Sequence, residues 1–397
     1  MNNDITYLDY TASVPIKYWA QEYSVDHNFN PNQPYATYEA QLLKDAEQIV
    51  LASLGSKTGH VVFGANATVM ADYVLNMTDW MTEACVVNPY EHDCFAKTLR
   101  YKNMNPLMFV INDYNTLNDQ LKYYAEQIKE SAECAYPVCF WMWVNNLMGQ
   151  TNPVDTIGKT AHSYDMEFIC DLTAGLYNEV IPPNIDKWCD IAIWSGSKIG
   201  TENCTGGIWF SDKAWKRHSS GNEPPVYFGT PNVAQAIAQA KAIEDCQKKL
   251  KETIPETKKK NIRPSDHIMF RKWHNLYNYL LEKLGDISLD YDDAERLCGY
   301  EFDDAVESIV PLYLPNIDAD AFQQFASTHN VYFSTFHSVC VDEDDDYRVA
   351  KAYGLTEEQA KHCIRLSFGY ETTNQDIDKF IDLLKRFRET LMNDKID

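Results

Sequence analysis

Two apolar runs of this chain end in residues that could carry out proton transfer and covalent chemistry. Phe168-Ile169-Cys170-Asp171 ends in a carboxylate, and Ile193-Trp194-Ser195-Gly196-Ser197-Lys198 places an amine just past an apolar stretch. In open parallel sheets, ligands bind beyond the carboxyl ends of the strands. A lysine amine there can form a Schiff base, and an Asp can keep a pyridine nitrogen protonated, the pairing that pyridoxal phosphate requires. A turn-capping Asp and a surface Lys account for the same spacing, since strand ends commonly carry polar residues. A third stretch, His60-Val61-Val62-Phe63-Gly64-Ala65-Asn66-Ala67-Thr68, runs from an apolar strand through small residues into a helix start. Free N–H groups and the positive end of the helix dipole would hold a phosphate there. Asn66 and Thr68 are equally ordinary N-cap residues.

These side chains need a scaffold, and the hydrophobic pattern supplies one. His60–Gly64, Ala84–Asn88, Leu107–Asn112, Val138–Val144, Glu167–Asp171 and Asp190–Trp194 are rich in Val, Ile and aromatics with little polar alternation. That pattern predicts strands buried on both faces. Between them lie helix-like segments at Tyr35–Leu54, Asn66–Thr78, Asn115–Ala132 and Asp155–Ser163. Regular alternation of strand and helix predicts an α/β architecture with a mostly parallel sheet. Past Ala242 the texture changes: Lys248–Lys251 and Lys258–Lys260 flank Pro255, a charged, helix-breaking stretch at an expected lobe boundary. Beyond it a helix is expected near Asp266–Leu284 and strands near Ser308–Leu314, Val331–Thr335 and Cys363–Phe368. A last helix carries Ile377, Phe380, Ile381 and Leu384 at i, i+3, i+4, i+7 spacing. Two domains are expected: a large one over 15–255, and a smaller α+β one over 256–397 that includes residues 1–14.

Composition narrows the function classes. The chain has 397 residues, with 35 Lys+Arg against 58 Asp+Glu, a formal charge of −23. That balance argues against a nucleic-acid binder, which shows a basic patch, and against an anionic membrane surface. Its start shows no signal-peptide pattern, and no run approaches the ~18 apolar residues of a membrane span. The cysteines number eleven, with no CxxC pair and no metal-like spacing. A cytoplasmic protein with reduced thiols and no metal is expected.

Taken together the motifs resemble the class V aminotransferase fold of pyridoxal phosphate enzymes, and within it the cysteine desulfurases and selenocysteine lyases. Tyr7-Leu8-Asp9-Tyr10-Thr11-Ala12 is similar to the family's YLDNAAT opening, and Phe63–Thr68 to its phosphate loop. Glu91-His92 resembles the EH pair, Val144–Gly149 the VNNEIG segment, and Ser195-Gly196-Ser197-Lys198 the SGHK segment. Gly229-Thr230-Pro231-Asn232 resembles GTPN, and Ile364-Arg365-Leu366-Ser367 the segment with a substrate-binding arginine. The resemblance implies an aspartate aminotransferase-like, fold type I enzyme using pyridoxal 5'-phosphate, and a homodimer. Lys198 would hold the cofactor and move the Cα proton, Asp171 would pair with the ring nitrogen, and His92 would stack on the ring. Ala67, Thr68, Ser195 and Ser197 would cradle the phosphate, with Thr230 reaching in from the partner subunit. Asn146 would bond near the ring oxygen or the substrate carboxylate. Arg365 would hold that carboxylate in a bidentate fork, with Ala12 beside it.

The departures bear on the reaction. Ser197 stands where the family has a histidine, and Ala174 where desulfurases usually have a glutamine. Desulfurases carry a nucleophilic cysteine in a loop that here contains Cys340, although the family position aligns nearer His337 or Ser338. The acidic run Asp342–Asp346 disfavours a thiolate beside it. The expected activity is cleavage of a Cβ–S or Cβ–Se bond in a small amino acid, with a possible sulfur-acceptor protein. The alternatives are a C–S lyase, aminotransferase or epimerase of the same fold without a catalytic cysteine, and a non-catalytic relative. A nucleotide-binding Rossmann enzyme is disfavoured, because no G-x-G-x-x-G follows the first strand.

Overall fold

Strands buried on both faces need helices on both faces, and the sheet of this protein is built that way. A computed structural model describes residues 5–24, 29–77, 85–101, 107–108, 116–131, 137–220, 225–226, 228–254, 266–285, 305–339 and 347–393. Its strands in chain order are β1 (Thr6–Tyr7), β2 (His60–Gly64), β3 (Cys85–Val87), β4 (Leu107–Met108), β5 (Val138–Met142), β6 (Glu167–Asp171), β7 (Ile191–Ser195), β8 (Gly206–Phe210), β9 (Ile309–Tyr313), β10 (Val331–Tyr332), β11 (Ser334–Thr335) and β12 (Cys363–Ser367). The chain divides into two compact units. One comprises residues 15–145 and 152–249; the other comprises 1–14, 146–151 and 250–397.

The first unit holds a seven-stranded sheet in the order β2-β8-β7-β6-β5-β3-β4. Neighbours from β7 to β4 run parallel, while β8 is antiparallel to both β2 and β7. Every residue of β5, β6, β7 and β8 is buried. Because side chains alternate across a strand, Phe140, Ile169, Ile193 and Ile208 share one face. They pack with Met70, Ala71 and Val74 of the helix Ala67–Asn76. Phe168 points to the other face and meets Gly158 of the helix Val154–Ser163. Each fully buried Ile, Val or Phe of these layers contributes about 1.5–3 kcal/mol. The fold is therefore α/β with a mostly parallel central sheet, as expected. Strand β8 was not expected from the sequence; its Gly206-Gly207 start lacks a strand signal.

The second unit contains a parallel pair, β1 with β10, and an antiparallel sheet in the order β11-β12-β9. The single strand expected over Val331–Thr335 is in fact two. It breaks at Phe333, which is buried, and the pieces join different sheets. The last helix, Asn374–Asn393, buries Ile377, Phe380, Ile381 and Leu384 as its spacing predicts. Pro255, Lys258–Lys260, Cys340, Asp342–Asp346 and the last four residues of the strand expected over Leu107–Asn112 lie outside the described residues.

Candidate active site

Sheet register gathers the chemistry-bearing residues of the first unit along one edge. Gly64 at the end of β2 pairs with Gly206, and Gly206 pairs with Ser195 at the end of β7. One strand further, Asp171 at the end of β6 pairs with Ile193 of β7, and Met142 at the end of β5 pairs with Asp171. Neighbouring strands lie ~4.8 Å apart, so these carboxyl ends form one row.

The turn that carries the lysine is fixed by close packing. Gly196–Lys198 forms a single 3-10 turn directly after β7. A Cβ on Gly196 would lie 2.1 Å from both Thr201 Oγ1 and Thr205 Oγ1, so only glycine fits. Those two hydroxyls, both buried, are 2.7 Å apart, and Gly196 N–H donates to the Thr205 carbonyl at 2.8 Å. Ser195 is buried, with its Oγ 3.3 Å from Ser197 Oγ, and Ser197 and Lys198 are half-buried. Beside Ser195 in the row, Gly206 is equally constrained: a Cβ there would meet the Ala65 carbonyl at 2.1 Å. The loop into the helix Ala67–Asn76 is thereby held against β8. Asn66 caps that helix, its Oδ1 accepting from Val69 N–H at 3.1 Å. Ala67 is buried and Thr68 exposed at its start.

Asp171 is 5% exposed. Its Oδ1 accepts from Thr173 N–H at 2.8 Å, and Cys94 Sγ–H donates to Oδ2 at 3.9 Å. Burial pushes its carboxyl above the ordinary value, against the opposing pull of Thr173, the nearby His92 and the Cys94 thiol. His92 precedes the helix Asp93–Tyr101, and its Nδ1 accepts from Cys94 N–H at 3.1 Å. A backbone N–H can only donate, so a neutral His92 carries its proton on Nε2. Glu91 fixes the approach to this helix: its Oε1 accepts from Met142 N–H at 2.5 Å. Asp171, His92 and Cys94 thus form one cluster, and Cys94 is a member that carried no sequence signal. The lining near Ala174 is apolar, since the Trp143 ring packs where a Cβ on Gly175 would stand.

In the second unit, β11 and β12 bring Ser334 opposite Arg365. Arg365 is 1% exposed. Its Nη2 donates to Asp9 Oδ1 at 2.6 Å and to Ser334 Oγ at 2.9 Å, and its Nη1 donates to the Asn146 carbonyl at 2.8 Å. Arg365 Nε is buried without a hydrogen-bond partner among the described residues. Ala12 follows in the turn after Asp9, donating to the Asp9 carbonyl at 3.0 Å. Arg365, Asn146 and Ala12 are thus drawn together, around an Asp9 that the motif contained but that had no expected role. Burial pushes the neighbouring Tyr7 hydroxyl up to about 12, and Asp9 adds to the shift. His337 Nδ1–H donates to Asp320 Oδ2 at 2.9 Å. Thr230 is exposed, in the first unit, beside a cavity of about 750 Å³ that Gly64, Ala65 and Phe228 also line.

The first unit's donor set suits pyridoxal phosphate. Asp171 is a buried carboxylate that, among the described residues, forms no ion pair with a Lys or Arg, and a cationic ring N–H would complete it. The helix start at Ala67, with Ser195 one strand beyond β8, offers N–H and O–H donors to a phosphate.

Known proteins share this fold. The Aminotransferase class-V family model matches residues 7–380. A protein named cysteine desulfurase IscS from Dictyoglomus turgidum is 20% identical, over 97% of this chain and 95% of its own length. The solved NifS-like protein of Rickettsia africae superposes with a TM-score of 0.71 at 19% identity, covering 97% of this chain and 99% of that one. A cysteine desulfurase from Thermococcus onnurineus gives a TM-score of 0.71 at 16% identity, covering 97% and 95%.

Proposed function

The chain belongs to the class-V aminotransferase family, and from that premise we propose that it is a pyridoxal 5'-phosphate-dependent, cysteine desulfurase-like enzyme. Its substrate is a small amino acid, cleaved at a Cβ–S or Cβ–Se bond. The observation that carries the proposal is the row of strand ends that brings buried Asp171, Ser195 and the turn bearing Lys198 to one sheet edge.

When bound, the cofactor supplies an aldehyde that takes up the substrate amine and a ring that accepts electrons from Cα. The chain's own residues do the rest. Asp171 would pair with the ring nitrogen, and Ala67, Thr68, Ser195 and Ser197 would hold the phosphate. Lys198 holds the cofactor between turnovers and takes the Cα proton. His92 would stack on the ring and exchange protons with the substrate. Arg365 would hold the substrate carboxylate, Nε–H and the second Nη1–H being the donors that Asp9, Ser334 and Asn146 leave unused, with Asn146 and Ala12 in the same role. The Cys340 thiolate then attacks the substrate sulfur, the Cβ–S bond breaks toward carbon, and Cβ is protonated. The products are alanine and a Cys340 persulfide, which an acceptor protein would discharge. The proposal includes a homodimer, with Thr230 reaching the partner's phosphate site, and a cytoplasmic setting.

A second reading, a C–S lyase or other class V reaction without a cysteine, draws on one observation. His337 and Ser338, nearest the family's nucleophile position, offer an imidazole tied to Asp320 and a hydroxyl tied to Thr335. Incubation with a panel of amino acids, cysteine and selenocysteine first, separates the readings by product mass. Alanine with persulfide supports the first; pyruvate, ammonia and sulfide support the second. Full cysteine turnover by the Cys340→Ala chain would exclude the persulfide step.

A further inference from the structure

We propose that Cys94 is a positioning residue of the candidate active site, its thiol acting as a permanent hydrogen-bond donor to Oδ2 of Asp171. The inference rests on the reading of Asp171 as the partner of the cofactor ring, and it concerns what holds that carboxylate ready.

Cys94 is the second residue of the helix Asp93–Tyr101 and is 2% exposed. It touches both functional neighbours at once: Sγ lies 3.9 Å from Asp171 Oδ2, and its backbone N–H reaches His92 Nδ1 at 3.1 Å. The other carboxylate oxygen is held by Thr173 N–H at 2.8 Å. One donor on each oxygen fixes the plane of the carboxylate, while each oxygen keeps a lone pair for a further partner. A buried cysteine commonly serves as a small hydrophobe. What separates this one is the carboxylate beside it, which gives the thiol proton a definite place to go.

The same surroundings exclude a nucleophilic role. Burial, then the charges of Asp171 and Glu91, push the Cys94 thiol well above its ordinary value. A thiolate there would be a second anion in a buried acidic cluster. Cys94 therefore stays protonated across the physiological range and can only donate. It is not a sulfur carrier.

The test uses the full chain with Cys94→Ala and Cys94→Ser, melting temperatures serving as folding controls. Without cofactor, the infrared S–H stretch lost in C94A should be one displaced to lower frequency by hydrogen bonding. With pyridoxal phosphate labelled with ¹⁵N in the ring, C94A should move the nitrogen resonance toward the unprotonated position. Its cofactor Kd should rise about fivefold, the effect of one ordinary hydrogen bond, since a thiol is a weak donor. C94S, which keeps a donor, should restore both. An undisplaced S–H band, an unchanged ring resonance in C94A, or a C94S chain that behaves like C94A would overturn the proposal. A parent chain that binds no pyridoxal phosphate would instead defeat the functional reading, and the infrared band would still decide the thiol contact.

Discussion

Replacing Asp9 by Asn removes a charge from the best-formed ion pair of the second unit while keeping the side chain's shape. Arg365 Nη2 and Asp9 Oδ1 are 2.6 Å apart, and the Arg365 side chain is 2% exposed. At an effective dielectric of about 20, that separation corresponds to about 6 kcal/mol of attraction. Desolvation of both groups offsets part of it, and stripping one partner from a buried pair leaves a net loss of about 3–5 kcal/mol. Asn still offers an oxygen to Nη2, and Ser334 and the Asn146 carbonyl still accept from the guanidinium. The expected loss for D9N is therefore about 3 kcal/mol, the low end of that range. With about 2.1 cal/mol/K of unfolding entropy per residue, the melting temperature falls by about 4 °C if the whole chain melts together. It falls by about 8 °C if the unit of roughly 170 residues melts by itself. Differential scanning calorimetry without substrate or cofactor measures it. A D9N chain melting within about 1 °C of the parent would show that the pair does not hold the unit as described.

Two other substitutions test separate parts of the structure. Burial pushes the Glu179 carboxyl up to about 7 from an ordinary 4.5, the Val180 N–H bond only partly opposing it. The folded chain thus holds that proton more tightly, so its stability falls as pH rises from 4.5 through 7, by about 3 kcal/mol in all. Glu179→Gln should raise the melting temperature at pH 8 and leave it unchanged near pH 4.5; an equal effect at both values would refute the shift. Gly196→Ala forces a Cβ onto two bound hydroxyls and should cost about 1–3 kcal/mol while displacing the Lys198 turn. Its melting temperature and its rate of labelling by pyridoxal phosphate and borohydride should both fall. Parent-like values for both would mean that the turn is not set by Thr201 and Thr205.

Local physics made much of this fold legible. His60–Gly64 and Glu167–Asp171 could be bounded from sequence because apolar residues fill them and Gly or Asp ends them. The Ile377, Phe380, Ile381, Leu384 stripe marked its helix for the same reason. Strand β8 stayed hidden because its first two positions are glycine for a non-local cause: Ala65 O and the Trp194 ring occupy the space of any side chain. Phe333 likewise gave no sign that two sheets part at it. Within the candidate site, the positions at strand ends could be read from residue types, whereas their partners could not. Asp9 is 356 residues from Arg365, and Cys94 is 77 residues from Asp171. Neither pairing leaves a spacing signal, since only the closed fold brings the groups together.

In the proposed function Lys198 is the residue that holds pyridoxal phosphate. Purified chain should be incubated with the cofactor, reduced with borohydride, digested and mapped by mass spectrometry. One phosphopyridoxyl group is expected on the peptide that contains Lys198, and its loss in Lys198→Ala. Labelling spread over surface lysines, or an undiminished label in Lys198→Ala, would contradict it.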